Sequence, residues 1–587
     1  MSRARVLSVV AATILLGALP LAIAHGESHD DATMDKHEPP APVEHEGAPS
    51  SYWSLPDHVG IMYWHIGLEI LAWTIVLPVG VMLSIARSRL ALLAQFTFLI
   101  VNALALLLGI VYNQKTPDLY ENNAHGKTGW IITWIASAWV FMALLQAYAA
   151  HNNPSSPQDQ IRHKLNAANM ARYQRVHDAQ VPTARWSNDS GQGTERNSTS
   201  LFGSRSPSVE SEEHQQFLGQ APSYDQEVED ELEEIAEKSG LLGSTDRFFS
   251  RHIGRFASKI PVKFIKFLYV IIERTILIQG FVAIATGIVV YGGIAKGGAV
   301  FNVLAHFIKG GIFFGYGLLT LGRWMGAFAD FGWAWNVKPP KEVVGRRRAA
   351  IPSAEFTESF VIFLYGCSNV FLEHLAAWGD AWTAQDLEHV SISIMFFGGG
   401  LLGMLVESSK MRDLLNSVVL STQPPSQFNE EVWQQPRQYR TSMNPIPGLI
   451  ILLLGKMMSS HHQASMLSTM IHTQWGSMFM MFALARAVTY ITLYISPPTS
   501  YLPSRPPTEV ITSFCLIAGG ITFMVSNKDT VAALESYDLD AMFTFTVTMG
   551  FVALLMAWTV VLVGLKGIAT RRENTHRSGQ TGMSMAP

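Results

Sequence analysis

The segment WHIGLEILAWTIVLPVGVMLSIAR, Trp64 to Arg87, is apolar enough to cross a bilayer, yet His65 stands near its start and Glu69 one turn further in. Ionisable groups are costly in lipid; those that occur usually face a bundle interior and serve a function. A second histidine, His125 in NNAHGKTGW, opens another apolar run. Two histidines at one height on two helices can ligate one iron from opposite faces, as a b-type haem requires. A plainer alternative has His65 and Glu69 hydrogen-bonded to each other along one helix. The second half of the chain is denser in such groups. NVLAHFIKGG carries His306, and NVFLEHLAAWGDAWTAQDLEHVSISI carries Glu373, His374, Glu388 and His389. KMMSSHHQASMLSTMIHTQWGSMFMMF carries His461, His462 and His472. These six histidines and two glutamates suit a second metal or haem centre, or a proton path. Zinc, copper and iron all accept imidazole; the carboxylates favour zinc or iron, and Met457, Met458, Met466 and Met470 would suit copper. Glu358 and Glu407 fall at the other ends of their spans. Interfacial anchoring by the histidines and bundle packing by the methionines is the structural alternative.

The elements that must position these groups follow from composition. Of 587 residues, 48% are hydrophobic and only 15% charged, well under the charge of a soluble domain. The apolar residues fall in long runs, so the expected fold is all-α, a polytopic integral membrane protein of about eleven transmembrane helices in two bundles. Three spans are expected near 60–86, 90–112 and 128–150. Eight more are expected near 264–291, 299–322, 354–377, 387–408, 445–461, 466–494, 508–526 and 541–566. The two cysteines, Cys367 and Cys515, both sit in apolar runs, which argues against a disulfide framework or a thiolate metal site.

Residues 1–24 read as a signal peptide ending in Ala22-Ile23-Ala24. A His-, Pro- and acid-rich tail follows over 25–58. Cleavage after Ala24 would leave His25 as the mature terminus, with His29, Met34, His37 and His45 behind it, one arm of a weak copper clamp or simply a solvated tail. A three-helix domain is expected over 59–150 and a polar cytosolic loop over 151–263. The loop ends in a basic amphipathic segment in which Arg247, Arg251, Arg255, Lys259 and Lys263 recur every four residues. An eight-helix domain over 264–567 and a cytosolic tail over 568–587 complete the chain. With the mature N-terminus outside, the cytosolic loops carry Arg87, Arg89, Lys338, Lys341, Arg346 to Arg348, Lys410, Arg412, Arg437, Arg440, Arg486, Arg505, Arg571 and Arg572. The outer loops carry only Lys115, Lys127, Lys296 and Lys528, as the positive-inside rule asks. All the clustered histidines then map to the outer leaflet.

The pattern His65, Leu68, Ala72-Trp73, Pro78-x-Gly80, Ala86-Arg87 resembles the first core helix of cytochrome b-561, the transmembrane dihaem cytochromes. His125, Gly129 and Gln146 resemble its third core helix, and Glu69 stands where that family usually has methionine. The resemblance implies one haem between His65 and His125. The second span has no histidine and no fourth core span follows the third, so ligands for the family's second haem are missing. The order of the two membrane blocks, with AHFIKGG, FLEHL and SSHHQ, resembles the fungal yeast-putative-transmembrane-protein (YTP) family over roughly 50–150 and 250–570. That family carries no assigned activity.

The leading expectation is a membrane electron-transfer or oxidoreductase-type protein with one bis-His b-type haem near the outer leaflet and a second His/Glu centre in the C-terminal bundle. The alternatives are a zinc-dependent membrane hydrolase and a copper or iron transporter or sensor. No nicotinamide-binding fingerprint occurs in the polar segments. The expected partners are the lipid bilayer and a redox partner at the outer face, not nucleic acid. The expected location is a membrane of the secretory pathway.

Overall fold

The structure is a computed structural model and describes residues 51–152, 262–372, 382–420, 436–460 and 463–583. The expected signal segment, most of the tail 25–58, nearly all of the loop with its basic segment, and Glu373, His374, His461 and His462 lie outside those residues. The described residues are helical, with no strand among them.

The helices are α1 (Val59–Ile85), α2 (Ala91–Lys115), α3 (His125–Asn152), α4 (Val262–Gly292), α5 (Ala299–Met325), α6 (Ala354–Leu372), α7 (Ala384–Glu407), α8 (Ser409–Leu420), α9 (Ile446–Ser459), α10 (Met466–Ile495), α11 (Thr508–Val525), α12 (Lys528–Ser536) and α13 (Ala541–Met583). Among the described residues nine are long and apolar enough to cross a membrane: α1 to α5, α7, α10, α11 and α13. The other two expected spans are also helices. α6 carries Glu355 and Glu358 in its first turns, and α9 has only 14 residues, about 21 Å at helical rise. The chain is an integral membrane protein, all-α as expected, although the count of eleven is met only if α6 and α9 are included.

α1 to α4 share one core, built on Trp73, Phe98, Trp139 and Ile276. α4 was expected to open the C-terminal block; it instead packs along α3 and touches α1. The long polar stretch between α3 and α4 separates them in sequence and hides their adjacency. In hydrocarbon, polar side chains must pair within the protein, and here they latch each helix to the next. Trp73 Nε1 donates to Asn102 Oδ1 at 2.9 Å, and Asn102 Nδ2 donates to Thr133 Oγ1 at 3.3 Å. Ser84 donates to Glu273, and Gln95 Nε2 donates to the Tyr269 hydroxyl at 3.2 Å.

Within α1, residues Leu71–Val76 form a wide π turn. Pro78 has no N–H, so the Thr74 carbonyl loses its ordinary helical donor and the turn relaxes. The indole of Trp558 on α13 supplies a hydrogen bond to that carbonyl at 2.9 Å. α13 runs on to Met583, well past the expected span, and its Glu573 pairs with Arg89 at the α1–α2 turn.

The remaining helices surround a second core around Phe313, Trp475, Phe479 and Phe523. Three pairs in it approach backbone to backbone at glycine. A Cβ on Gly317 of α5 would stand 2.5 Å from Ile517 of α11; one on Gly400 of α7 would stand 2.3 Å from the Phe363 nitrogen of α6. Gly455 of α9 and Gly476 of α10 face each other in the same way.

All the histidines described below lie where α1, α3, α5, α7 and α10 begin, termed here the histidine end. At the opposite, arginine end, five buried charges meet. Arg323 Nη1 reaches Glu358 Oε1 at 2.6 Å and Nη2 reaches Glu355 Oε1 at 2.9 Å. Arg323 Nε donates to the Trp333 carbonyl at 2.7 Å. Arg486 contacts Glu358 at 3.4 Å and Glu509 at 2.8 Å, and Glu509 is wholly buried. The Arg486–Glu509 contact is ionic, with an angle that falls short of a hydrogen bond. The Trp335 ring covers Arg323, its centroid 4.3 Å away. Arg486, expected in a loop as a topology marker, is therefore a core residue of α10, because three carboxylates from α6 and α11 need counter-charges out of water.

Two outcomes are expected in unfolding measurements on the detergent-purified protein. Arg486→Met strands the Glu509 carboxylate and should destabilise by about 3–5 kcal/mol, much of it restored by adding Glu509→Leu. Gly400→Leu forces α6 from α7 and should cost about 1–3 kcal/mol, with Gly398→Leu, which meets no neighbour within 4 Å, far milder.

Candidate functional site

His65 and His125 come to the same end of the four-helix bundle. His65 does not turn to Glu69. Its Nδ1 is 2.8 Å from the Ala105 carbonyl of α2, an acceptor only, so Nδ1 carries the hydrogen. Its ring lies on Gly109, where a Cβ would stand 2.9 Å from Cε1. His125 Nδ1 is 3.1 Å from Thr286 Oγ1 of α4. That hydroxyl already donates to the Val282 carbonyl at 2.9 Å, so it accepts from His125. The His125 ring rests on Gly287 as His65 rests on Gly109. Both imidazoles are thus the Nδ1–H tautomer, with Nε2 as the lone-pair nitrogen, and each is oriented by a neighbouring helix. The two rings are near enough to interact electrostatically. One turn deeper than His125, half-buried Gly129 has nothing within 4 Å of where a Cβ would stand. Trp64 and Tyr63 beside His65 are 68% and 59% exposed, as aromatic residues at a membrane surface are.

In the second bundle His306, His389 and His472, from α5, α7 and α10, line one cavity of about 120 Å³. His306 Nδ1 donates to the Asn302 carbonyl at 2.8 Å and His472 Nδ1 to the Ser468 carbonyl at 2.7 Å. Their rings meet edge to face, centroids 6.4 Å apart. Glu388 is exposed and does not line the cavity. Of the four methionines only Met458 faces it; Met457, Met466 and Met470 are 38%, 76% and 48% exposed. Among the described residues no three histidine, cysteine, aspartate or glutamate side chains stand close enough to hold a metal ion. Glu373, His374, His461 and His462 are outside the described residues, so the eight-residue set expected from the sequence is represented here by three histidines around one chamber.

Sequence reading missed Lys309, Tyr365 and Asn369 in the wall of that chamber, and Arg323, Glu355 and Glu509 at the arginine end. Lys309 is one turn beyond His306 in AHFIKGG, and that spacing on a helix was the available signal.

Residues 279–567 match the family model described as protein YTP1-like, C-terminal, and residues 47–149 match a domain of unknown function (DUF2427). An uncharacterized membrane protein of Schizosaccharomyces pombe is 33% identical over 511 residues, 86% of this chain and 94% of that relative. An uncharacterized membrane protein of Saccharomyces cerevisiae is 42% identical over 292 residues, 48% of this chain and 45% of the relative. Protein YTP1 of Saccharomyces cerevisiae is 22% identical over 292 residues, 49% of this chain and 52% of the relative. No solved structure matches. The match across both bundles and nearly the whole length of the Schizosaccharomyces pombe relative means that the chain belongs to the YTP1-like family of membrane proteins.

Proposed function

We propose that this protein is a membrane electron relay that holds one b-type haem between His65 and His125. The observation that supports this most is the matched tautomer: two imidazoles from α1 and α3, each with Nδ1 committed to a neighbouring helix and Nε2 left as the ligating nitrogen. Gly129, on the His125 face with open space before it, leaves room for a flat ring. Haem bound there would supply reversible one-electron chemistry. The chain's own part is to fix both imidazole planes through Ala105 and Thr286, and to seat the rings on Gly109 and Gly287. It also keeps the site near the aromatic rim of the bundle, within reach of a donor at that face. α2 and α4, the two helices that orient the ligands, contain no histidine, so the proposal is for a single haem. The positive-inside pattern supports a histidine end on the lumenal or extracellular side of a secretory-pathway membrane. Among the described residues of the second bundle no three histidine, cysteine, aspartate or glutamate donors come together to hold a metal ion, so the proposal includes no second centre.

The test is a dithionite-reduced minus air-oxidised visible spectrum of the purified full chain. A b-type alpha band at about one haem per chain is expected. His65→Ala and His125→Ala should each abolish it, and Gly129→Leu should lower haem content while the protein still folds. A spectrum that survives both histidine changes, or none in the wild type, overturns the proposal. Thr286→Val should keep the haem and shift its midpoint potential, because it removes only the hydrogen bond that orients His125.

A further inference from the structure

The histidine chamber is not closed off. A larger cavity of about 210 Å³ adjoins it between α5 and α6; its wall surface is almost wholly apolar, although Thr357 and Glu358 also border it. The two share Lys309, Phe313, Tyr365 and Phe396 as walls. The larger one reaches the outside of the bundle: Ile312 and Val361 line it and are also 39% and 43% exposed. α5 uses its glycines in two ways here. Gly310 and Gly317 press on α11, with a Cβ at either 2.5 Å from its neighbour. Gly315 lines the cavity, and nothing lies within 4 Å of where its Cβ would stand. The gap beside α5 is therefore open at the level of the hydrocarbon, where the molecules at hand are lipid-soluble.

The polar end sets what head group fits. His306 commits Nδ1 to the Asn302 carbonyl, so its Nε2 edge is an acceptor. Lys309 lies in the wall common to both cavities. An acceptor nitrogen in that wall is matched by a head that donates a hydrogen bond. A hydroxyl meets that condition, and an ether oxygen, with no hydrogen to give the imidazole, does not.

We propose that the two cavities form one binding site for a membrane-soluble molecule with an apolar body and a hydroxyl head. The body enters between α5 and α6 past Gly315, and the hydroxyl donates to His306 Nε2. Sterols, prenylated hydroquinones and long-chain alcohols share this chemistry. The site stands on the second bundle alone and is independent of haem in the first.

The experiment uses the full chain in lipid nanodiscs and a long-chain alcohol carrying a mid-chain diazirine, with its O-methyl ether as control. Photolabelling by the alcohol is expected to map to α5 and α6, and to exceed that by the ether by about tenfold, the loss of one buried hydrogen bond. Gly315→Leu, which fills the mouth without a clash, should lower labelling by about as much at unchanged thermal stability. His306→Phe keeps the apolar cavity and should erase the preference for alcohol over ether. Unlabelled sterol, prenylated hydroquinone and long-chain alcohol compete in separate arms, and displacement by any of them supports the site and names its source. Equal labelling by alcohol and ether, unchanged labelling of Gly315→Leu, or no displacement in any arm overturns it. The b-type spectrum of both variants reports separately on the first bundle.

Discussion

The constraint on which the rest depends is the absence of water from the bilayer core. A polar group there finds its partner within the protein or carries the full cost of desolvation. Arg323 and Arg486 show the result at its most demanding, bringing Glu355, Glu358 and Glu509 from two further helices into contact. Breaking any one of these pairs leaves a charge with nowhere to go, so the four helices that contribute them are held at the arginine end as one unit. The same rule acts on a smaller scale at Thr74, whose carbonyl is freed by Pro78 and met by an indole from the last helix.

Hydrogen bonding also decides the chemistry of the histidines. An imidazole is both donor and acceptor until a neighbour commits one nitrogen. Ala105, Thr286, Asn302 and Ser468 all commit Nδ1, on four different helices. His65, His125, His306 and His472 are consequently all presented through Nε2. In the first bundle that edge belongs to a pair; in the second it belongs to a chamber with an apolar annex.

Helix packing explains why the annex exists. Close approach at Gly317, Gly400 and Gly455 joins α5 to α11, α6 to α7, and α9 to α10. Side chains that interdigitate so tightly within pairs leave less to fill the space between pairs. The gap between α5 and α6 lies between two such pairs, clamped at one end by Arg323 and its glutamates.

The sequence by itself determined that the chain is helical and membrane-embedded, and where most spans begin and end. Those properties follow from local hydrophobicity, which needs no tertiary contact to be read. It also marked His65, His125, His306, His389 and His472 as unusual, since an imidazole in an apolar run is conspicuous wherever it points. Which of them share a site was decided only in three dimensions. His306 and His472 are far apart in the chain and their rings touch; Glu388 is next to His389 and faces away. α4 joins the first bundle because Tyr269, Ile276 and Gly280 fit Trp139 and Trp73, a match of surfaces that no single segment displays. Arg486 read as a loop charge because sequence counts charges without showing what faces them. Its two buried carboxylate neighbours, Glu358 of α6 and Glu509 of α11, are visible only once the helices are packed.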